Sequence, residues 1–315
     1  MRPFLVLCGL SIVSLPLFAQ SSKIYTSDID NFWQAYDSVK TTTDTSRQRH
    51  FIQTLYMDKA SPGLQSFIKA RDHSARRHLD NINAFPKFWQ SIRTNTLAIK
   101  NNIPQFEKAI RNFKKRYKHF RQPNLYFTIG CLNSGGTTDR EKLLIGAEIA
   151  TANAQTNATE LNPWLQNVFK DLNGVLFLVV HEMVHTQQAD DVQNGTLLAR
   201  SIMEGAADFI AELLLEQPLT TPYARYGNAH EKELWQKFQQ EMNGTDLQHW
   251  LYNGNSAPGG NADLGYYMGY VICKAYYQNS GNKRKVLKEI IQLNYLDNKA
   301  VSAFLEKSGY ANKWQ

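Results

Sequence analysis

His181-Glu182-Met183-Val184-His185 is the stretch of this sequence from which the fold can be worked out, because it ends a strongly apolar run. Residues four apart on an α-helix lie on the same face, so the two imidazoles point the same way. Polar groups on a buried apolar helix are costly unless something satisfies them. Two imidazoles at this spacing can hold one metal ion, and the adjacent carboxylate can serve as a general base.

A third metal ligand is expected in the segment 203–208, at Glu204. Two His and one Glu leave the fourth position of a zinc ion open, as catalytic zinc requires. Asp208 lies one helical turn after Glu204 on the same face. We therefore expect Asp208 to accept the outer N–H of a zinc-binding imidazole, first of all that of His181. The small residues 205–207 allow this helix to approach the His helix closely.

An alternative third ligand lies nearer in the sequence. The metzincin pattern continues from the second His as x-x-Gly-x-x-His. In this chain Gln188 stands at the Gly position and Asp191 at the position of the third His. Asp191 remains a possible ligand, but a chain without that Gly is less free to turn here. Glu204 is therefore the favoured ligand.

The pair of motifs His-Glu-x-x-His and Glu-Gly-x-Ala-Asp resembles the gluzincin, thermolysin-like branch of zinc metallopeptidases. More narrowly, the chain resembles a bacterial family of predicted zinc-dependent proteases related to gliding-motility lipoproteins, through residues 126–130, 133–137, 144–148 and 265–270. The resemblance implies an α+β, mostly helical, zincin-like fold, with a small β-sheet beside the active-site helix and a helical N-terminal region. It implies one Zn²⁺ per chain and a peptide or protein substrate, without naming that substrate.

Apolar periodicity and turn residues divide the chain into three parts. Residues 1–19 are expected to be a signal peptide, 20–122 a helical N-terminal region, and 123–315 a metallopeptidase core continuous with that region. Within the core, residues 124–132 and 143–149 are predicted as strands joined by a glycine-containing loop. A strand beside the motif helix could bind an extended peptide by main-chain pairing, or could simply support the helix.

The second half of the core is predicted to be helical. Pro218 and Pro222 indicate a loop, and residues 231–242 a helix after it. Residues 253–263 are rich in Gly, Asn and Pro and are predicted as a loop. Two more helices are predicted, at 266–278 and 285–293.

The N-terminus has the pattern of an export signal. Arg2 precedes an apolar run, residues 4–13, that is too short to span a bilayer, and a cleavage site follows at Ala19. Cys8 lies too early in this run to be a lipoprotein cysteine. No other stretch has the roughly 18 apolar residues of a spanning helix. We therefore expect a periplasmic or secreted protein with no transmembrane segment in the mature chain.

Charge and cysteine content bound the remaining possibilities. The formal net charge of +7 is modest and indicates no particular partner. The basic run 111–121 contains aromatic residues, as nucleic-acid-binding segments do, but these aromatics have the spacing of a core stripe. We therefore expect no nucleic-acid binding. Cys131 and Cys273 could pair in an oxidising compartment, but the sequence cannot set their distance, and two unpaired, buried thiols are favoured.

The predicted chemistry is hydrolysis by zinc-activated water. Glu182 would take a proton from the water and pass it to the leaving amine. The oxyanion needs a second donor, for which Tyr266 is the first candidate, followed by Tyr267 and His230. Tyrosines on such a helix can equally be core residues. His249 is another candidate for the site, with a surface or structural role favoured.

Two other carboxylates, Glu148 and Glu212, receive no catalytic role. Glu148 is expected to end a strand and bond locally, and Glu212 to lie behind the site.

The alternative function is an exported binding or assembly protein on an inactive zincin scaffold. A zinc hydrolase that acts on a non-peptide bond cannot be separated from a peptidase by sequence.

Overall fold

A computed structural model describes residues 23–169, 174–188, 194–257 and 260–314. These residues are mostly helical and include one small mixed sheet, which confirms the expected α+β class. The predicted signal peptide, including Cys8, lies outside the described residues, as does Asp191. The proposed division at residue 122 stays a prediction.

Helices dominate both halves of the chain. The N-terminal helices are α1 (Ser27–Val39), α2 (Thr45–Ile52), α3 (Pro62–Arg71), α4 (Ala75–Ala84), α5 (Pro86–Leu97) and α6 (Ile103–Arg116). The later helices are α7 (Ala147–Ala150), α8 (Pro163–Val168), α9 (Val175–His185), α10 (Leu197–Leu215), α11 (Pro222–Glu241), α12 (Leu264–Asn279), α13 (Lys283–Ile291) and α14 (Asn298–Ser308). A π-helical turn spans Gln53–Met57, and 3₁₀ turns span Ala98–Asn102, Gly254–Ser256 and Tyr310–Trp314.

The sheet has four strands in the order β1-β2-β4-β3. They are β1 (Ile24–Tyr25), β2 (Asn124–Thr128), β3 (Gly136–Asp139) and β4 (Lys142–Gly146). β2 pairs in parallel with β1 and with β4, whereas β3 pairs antiparallel with β4. The sequence analysis missed β1 and placed β3 in a loop. β3 reads Gly-Thr-Thr-Asp and none of its residues is buried, so it lacks the apolar signal of a strand.

Both predicted strands extend too far in sequence. β2 ends at Thr128 because the chain beyond it turns to the carboxylate of Glu148, which accepts hydrogen bonds from the backbone N–H of Gly130 (3.0 Å) and Leu132 (3.1 Å). β4 ends at Gly146, and Glu148 lies in the one-turn helix α7 rather than at a strand end. Glu148 therefore bonds to the local backbone, as expected, but it does so from the helix α7 and not from the end of a strand.

The prediction of a loop at Pro222 is wrong. Pro222 begins α11, where a missing backbone N–H costs nothing in the first turn. The helix runs on to Glu241 with a kink at His230, whose φ of −128° and ψ of 22° are not helical. The helix predicted from residue 231 is thus the second half of a longer one.

Two helices near the motif, α10 and α12, pack closely because each has a glycine where they touch. A Cβ on Gly205 would lie 2.0 Å from the backbone N of Tyr270, and one on Gly269 would lie 1.6 Å from the carbonyl O of Ser201. Gly205 therefore brings α10 against α12, whereas the sequence analysis expected it to face α9.

Two other expectations concern the whole chain. Cys131 and Cys273 are buried and free, as expected. Among the described residues, every helix is too short or too polar to traverse a bilayer.

Candidate metal centre

Three side chains from α9 and α10 meet at one point inside the protein. The Nε2 atoms of His181 and His185 lie 3.1 Å apart, and Oε2 of Glu204 lies 3.5 Å and 3.1 Å from them. Helical spacing aligns the two imidazoles on α9, and α10 crosses beside them. Among the described residues, these three form a cluster whose ligand atoms all lie within 4.8 Å of one another.

The outer nitrogens of both imidazoles are held by hydrogen bonds. His181 Nδ1 lies 2.8 Å from Oδ1 of Asp208, the partner expected from the sequence. His185 Nδ1 lies 2.7 Å from Oε1 of Gln188, which no sequence argument identified as a partner. The orientation of the Gln188 amide is fixed because its Nε2 donates to the carbonyl of Met203 at 2.9 Å. Both Nδ1 atoms therefore carry the proton of the neutral ring.

This arrangement fits a metal cation. With the proton on Nδ1, each neutral imidazole presents the lone pair of Nε2 to the same point, where Oε2 of Glu204 also lies. Three acceptor atoms facing one another repel unless a positive charge lies among them. Two imidazoles and a carboxylate are a ligand set that zinc accepts, with a position left open.

The electrostatics of the cluster agree with a site for positive charge. Burial opposes a charge on His181, but the carboxylates of Asp208 and Glu204 outweigh it and raise the imidazole pKa well above its usual value. Burial likewise opposes a charge on His185, and Glu204 raises its pKa. Burial favours protonation of Glu204, but the two imidazoles lower its pKa well below the usual range. The cluster thus attracts cations despite its burial.

The two oxygens of Glu204 have separate partners. Oε2 faces the imidazoles, whereas Oε1 accepts a hydrogen bond from the hydroxyl of Tyr252 at 2.6 Å. Tyr252 has a positive φ of 56°, and its ring lies against the guanidinium of Arg200, 5.2 Å from centroid to Cζ. This tyrosine therefore fixes which carboxylate oxygen faces the metal position.

Glu182 lies beside the cluster, against the edge strand β3. A Cβ on Gly136 would lie 2.6 Å from Oε1 of Glu182, so the carboxylate occupies the space that a side chain at 136 would need. Burial raises the pKa of Glu182, and the neighbouring imidazoles of His185 and His181 and the guanidinium of Arg71 partly oppose this shift. A raised pKa brings a carboxylate nearer to the range in which it can both accept and return a proton.

Three tyrosines surround the site, and two of them are already bonded to its carboxylates. Tyr252 donates to Glu204, and the hydroxyl of Tyr223 donates to Oδ2 of Asp208 at 2.8 Å. The ring of Tyr266 lies between them and is 6.2 Å from that of His181. The structure thus places Tyr266 beside the cluster, and its role as an oxyanion donor stays a prediction.

Two cavities meet at this centre, and His181, Glu182 and Tyr266 line both. The wider one has a volume of about 930 Å³ and a lining that is polar and apolar in similar parts. The narrower one has a volume of about 420 Å³ and is mostly apolar. Its apolar walls come from Ile149, Trp164, Val168, Phe177, Leu178 and Tyr223.

Other candidates lie elsewhere or bond locally. Tyr267 is buried under Gly227 and donates to Asn228, so it is not available as an oxyanion donor. His230 stacks on Tyr226 at the kink of α11, and His249 pairs with Glu241. Glu212 bonds to Tyr270 and Lys274. Among the described residues, none of these four side chains lines the two cavities at the cluster.

A family model described as "Predicted Zn-dependent protease (DUF2268)" matches residues 160–295. The match includes α9, α10 and all three residues of the cluster, so this part of the chain is similar to a zinc-dependent protease family. The gluzincin and gliding-motility resemblances stay predictions. No curated protein and no solved structure matches the chain significantly.

Proposed function

We propose that this protein is an exported zinc-dependent peptidase, in which His181, His185 and Glu204 hold one Zn²⁺. The observation that carries the proposal is the convergence of three acceptor atoms whose outer partners fix both imidazoles as neutral ligands. The similarity of residues 160–295 to a zinc-dependent protease family supports the same reading.

Each residue around the cluster has a role in this proposal. When bound, zinc supplies Lewis-acid chemistry, polarising a carbonyl group and lowering the pKa of water. Glu182 takes the proton of the attacking water and hands it to the leaving amine. The hydroxyl of Tyr266 donates a hydrogen bond to the oxyanion. Tyr266 takes this role because the hydroxyls of Tyr223 and Tyr252 already donate to carboxylates. Asp208 and Gln188 hold the imidazoles in the tautomer that presents Nε2.

The edge strand β3 provides a place for an extended peptide. Among the described residues, β3 pairs with β4 on one side only, and its half-buried residues Gly136, Thr137 and Thr138 line the wide cavity. An unpaired strand edge can hydrogen-bond a peptide main chain. Gly136 lies level with Glu182, so a peptide paired with β3 would pass its backbone next to the proposed base.

The apolar cavity offers a pocket for a substrate side chain. Its walls are aromatic and aliphatic, and it opens beside Glu182 and Tyr266. Apolar cavities of this size bury side chains favourably. We propose that a large apolar residue next to the scissile bond enters it.

Export remains part of the proposal on the strength of residues 1–19 alone. Cleavage after about Ala19 would release a periplasmic or secreted protein. N-terminal sequencing of the protein recovered from its native compartment tests this, because an intact Met1 in that material would rule out the proposed processing.

The experiment that tests the hydrolytic function uses Glu182→Gln. Amide replaces carboxylate with nearly the same shape, so zinc content and folding should stay close to those of the parent. Peptide hydrolysis should fall by roughly 10²–10⁴-fold, the usual contribution of general acid–base catalysis. The measurements are metal content and cleavage of a broad peptide library. A parent protein that holds zinc but cleaves nothing would favour the binding or assembly protein on an inactive scaffold.

A further inference from the structure

The wide cavity contains an arginine that the proposed reaction does not use. Arg71 is the last residue of α3 and lines this cavity together with Glu182 and the metal cluster. Its backbone is held in place, because the guanidinium of Arg77 donates to the carbonyl oxygens of both Arg71 (2.9 Å) and Asp72 (2.6 Å). The Arg71 guanidinium therefore projects from a fixed point into the cleft.

The Arg71 guanidinium has no close ion-pair partner within the described residues, although its charge reaches Glu182 and helps to lower the pKa of that carboxyl. Its Nη2 makes a long hydrogen bond of 3.4 Å to Oγ of Ser134, and no hydrogen-bond partner lies at its buried Nε. No ion pair within 4.0 Å joins it to a described carboxylate, in contrast to Arg93 and its partner Asp37. A guanidinium with unused donors at the wall of a cleft is suited to a planar anion, above all a carboxylate.

The position of Arg71 along β3 indicates which part of a peptide would reach it. Gly136 is level with Glu182 and so marks the scissile bond. Ser134, which contacts Arg71, lies two residues before Gly136, beyond the N-terminal end of β3. A peptide that pairs antiparallel with β3, the more stable arrangement, runs from the level of Asp139 towards that of Ser134. Residues after the scissile bond would then pass Arg71.

We infer that Arg71 binds a carboxylate of the substrate on the C-terminal side of the scissile bond. This inference rests on the proposed peptidase function and adds a substrate class, peptides with an acidic group after the cleaved bond. That group can be an Asp or Glu side chain or the free C-terminus, because a guanidinium recognises the same two oxygens in each.

Cleavage-site profiling tests the inference on the zinc-loaded mature protein. A peptide library made from a cell proteome is digested, and mass spectrometry identifies the cleaved bonds. We expect Asp and Glu, or a free C-terminus, to be enriched in the three positions after the bond. Arg71→Gln should reduce this preference about 10–100-fold, the scale of hydrogen bonds to charged groups. The matched control is Arg76→Gln, which removes an exposed arginine of α4 that pairs with Asp80.

A binding measurement separates this inference from the proposed hydrolysis. Fluorescein-labelled pools of nonapeptides, random except that Asp and Glu are left out elsewhere, carry either Glu or Gln at one position, with a free or amidated C-terminus. Fluorescence anisotropy compares their affinities for Glu182→Gln and for the same protein carrying Arg71→Gln or Arg76→Gln. We expect peptides that carry either Glu or a free C-terminus to bind about 10–100-fold more tightly than amidated peptides with Gln. Arg71→Gln should abolish this difference in affinity, and Arg76→Gln should leave it unchanged.

The pools also distinguish the two sources of the carboxylate. A preference for Glu in amidated peptides identifies a side chain, and a preference for the free acid in Gln peptides identifies the C-terminus. Equal affinity for all pools, or an equal loss of preference in Arg76→Gln, would overturn the inference. So would enrichment of acidic residues only before the scissile bond. If the pools bind as expected but nothing is cleaved, the carboxylate site stands and the hydrolytic proposal fails.

Discussion

Replacing Asp208 by Asn isolates the contribution of one charge to the metal centre. Asp208 is 1% exposed and lies between Nδ1 of His181 and the hydroxyl of Tyr223, each 2.8 Å from one of its oxygens. Asn keeps the shape and an oxygen for His181 but removes the negative charge. Loss of such a partner typically weakens metal binding or activity by about 10–100-fold, or about 1.4–2.7 kcal/mol.

The matching Ala variant separates orientation from folding. Asp208→Ala leaves a buried imidazole N–H unpaired, at about 1–3 kcal/mol, and removes a partner of the half-buried Tyr223 hydroxyl, so its free energy of unfolding should fall by at least about 1–3 kcal/mol. Zinc affinity is measured by competition with a chelator, and unfolding by urea titration. Glu212→Gln, four residues later on α10, is the control and should keep the parent zinc affinity. Parent zinc affinity together with parent turnover in Asp208→Asn would refute the assigned role.

Three further substitutions test neighbouring parts of the structure. Gly136→Ala places a methyl group 2.6 Å from Oε1 of Glu182, so turnover should fall by about 10–100-fold at unchanged zinc content. Tyr252→Phe frees Oε1 of Glu204 and should weaken zinc binding about 10-fold in chelator competition. His78→Phe should make folding less sensitive to acid. Burial lowers the His78 pKa from 6.5 to about 3, so the unfolded chain binds more protons and stability falls with pH below 6.5. Its removal should recover about 3 kcal/mol of unfolding free energy between pH 7 and pH 4.

Each of these predictions has an outcome that contradicts it. Parent turnover in Gly136→Ala would show that the carboxylate of Glu182 does not need the space beside β3. Zinc affinity unchanged in Tyr252→Phe would show that Glu204 is oriented without the tyrosine. Both nitrogens of His78 lack hydrogen-bond partners among the described residues. If the free energy of unfolding of His78→Phe, measured by urea titration, falls from pH 7 to pH 4 as much as that of the parent, this imidazole does not cause the acid sensitivity.

The parts of the site that follow helical spacing could be predicted from the sequence. His181 and His185 share a helix, and Asp208 follows Glu204 by one turn, so each pair has only one relative geometry. Sequence reasoning missed Tyr252, because it reaches Glu204 from a loop 48 residues later. Such a contact depends on how the loop folds over the cleft, which no local pattern encodes.

Gln188 was seen in the sequence but only as the absence of a metzincin glycine. Its role depends on the turn that ends α9, where the backbone N–H of Gln188 bonds to the carbonyls of Val184 and His185 and brings the side chain back to the ring of His185. An amide three residues after a metal-binding His is a usable signal, since a helix end returns such a side chain to the same face.

The pattern of apolar residues did not predict the strand β3, for a related physical reason. Apolar content predicted β2 and β4, whose residues are mostly buried, but the edge strand β3 carries half-buried polar side chains and joins the sheet by main-chain pairing with β4. Main-chain pairing depends on what lies beside a segment, not on its own side chains. The strand proposed to bind substrate is thus the one that side-chain patterns reveal least.

The charges of the centre explain why an amide suits His185 while a carboxylate suits His181. Neutral imidazoles with the carboxylates of Glu204 and Asp208 carry a charge of −2, which one Zn²⁺ neutralises. A third carboxylate, at position 188, would make the set net negative and reduce the pull of the metal on a carbonyl group. With Gln188 neutral, the charge of Glu182 is not needed to balance the metal. That carboxylate remains free to accept a proton.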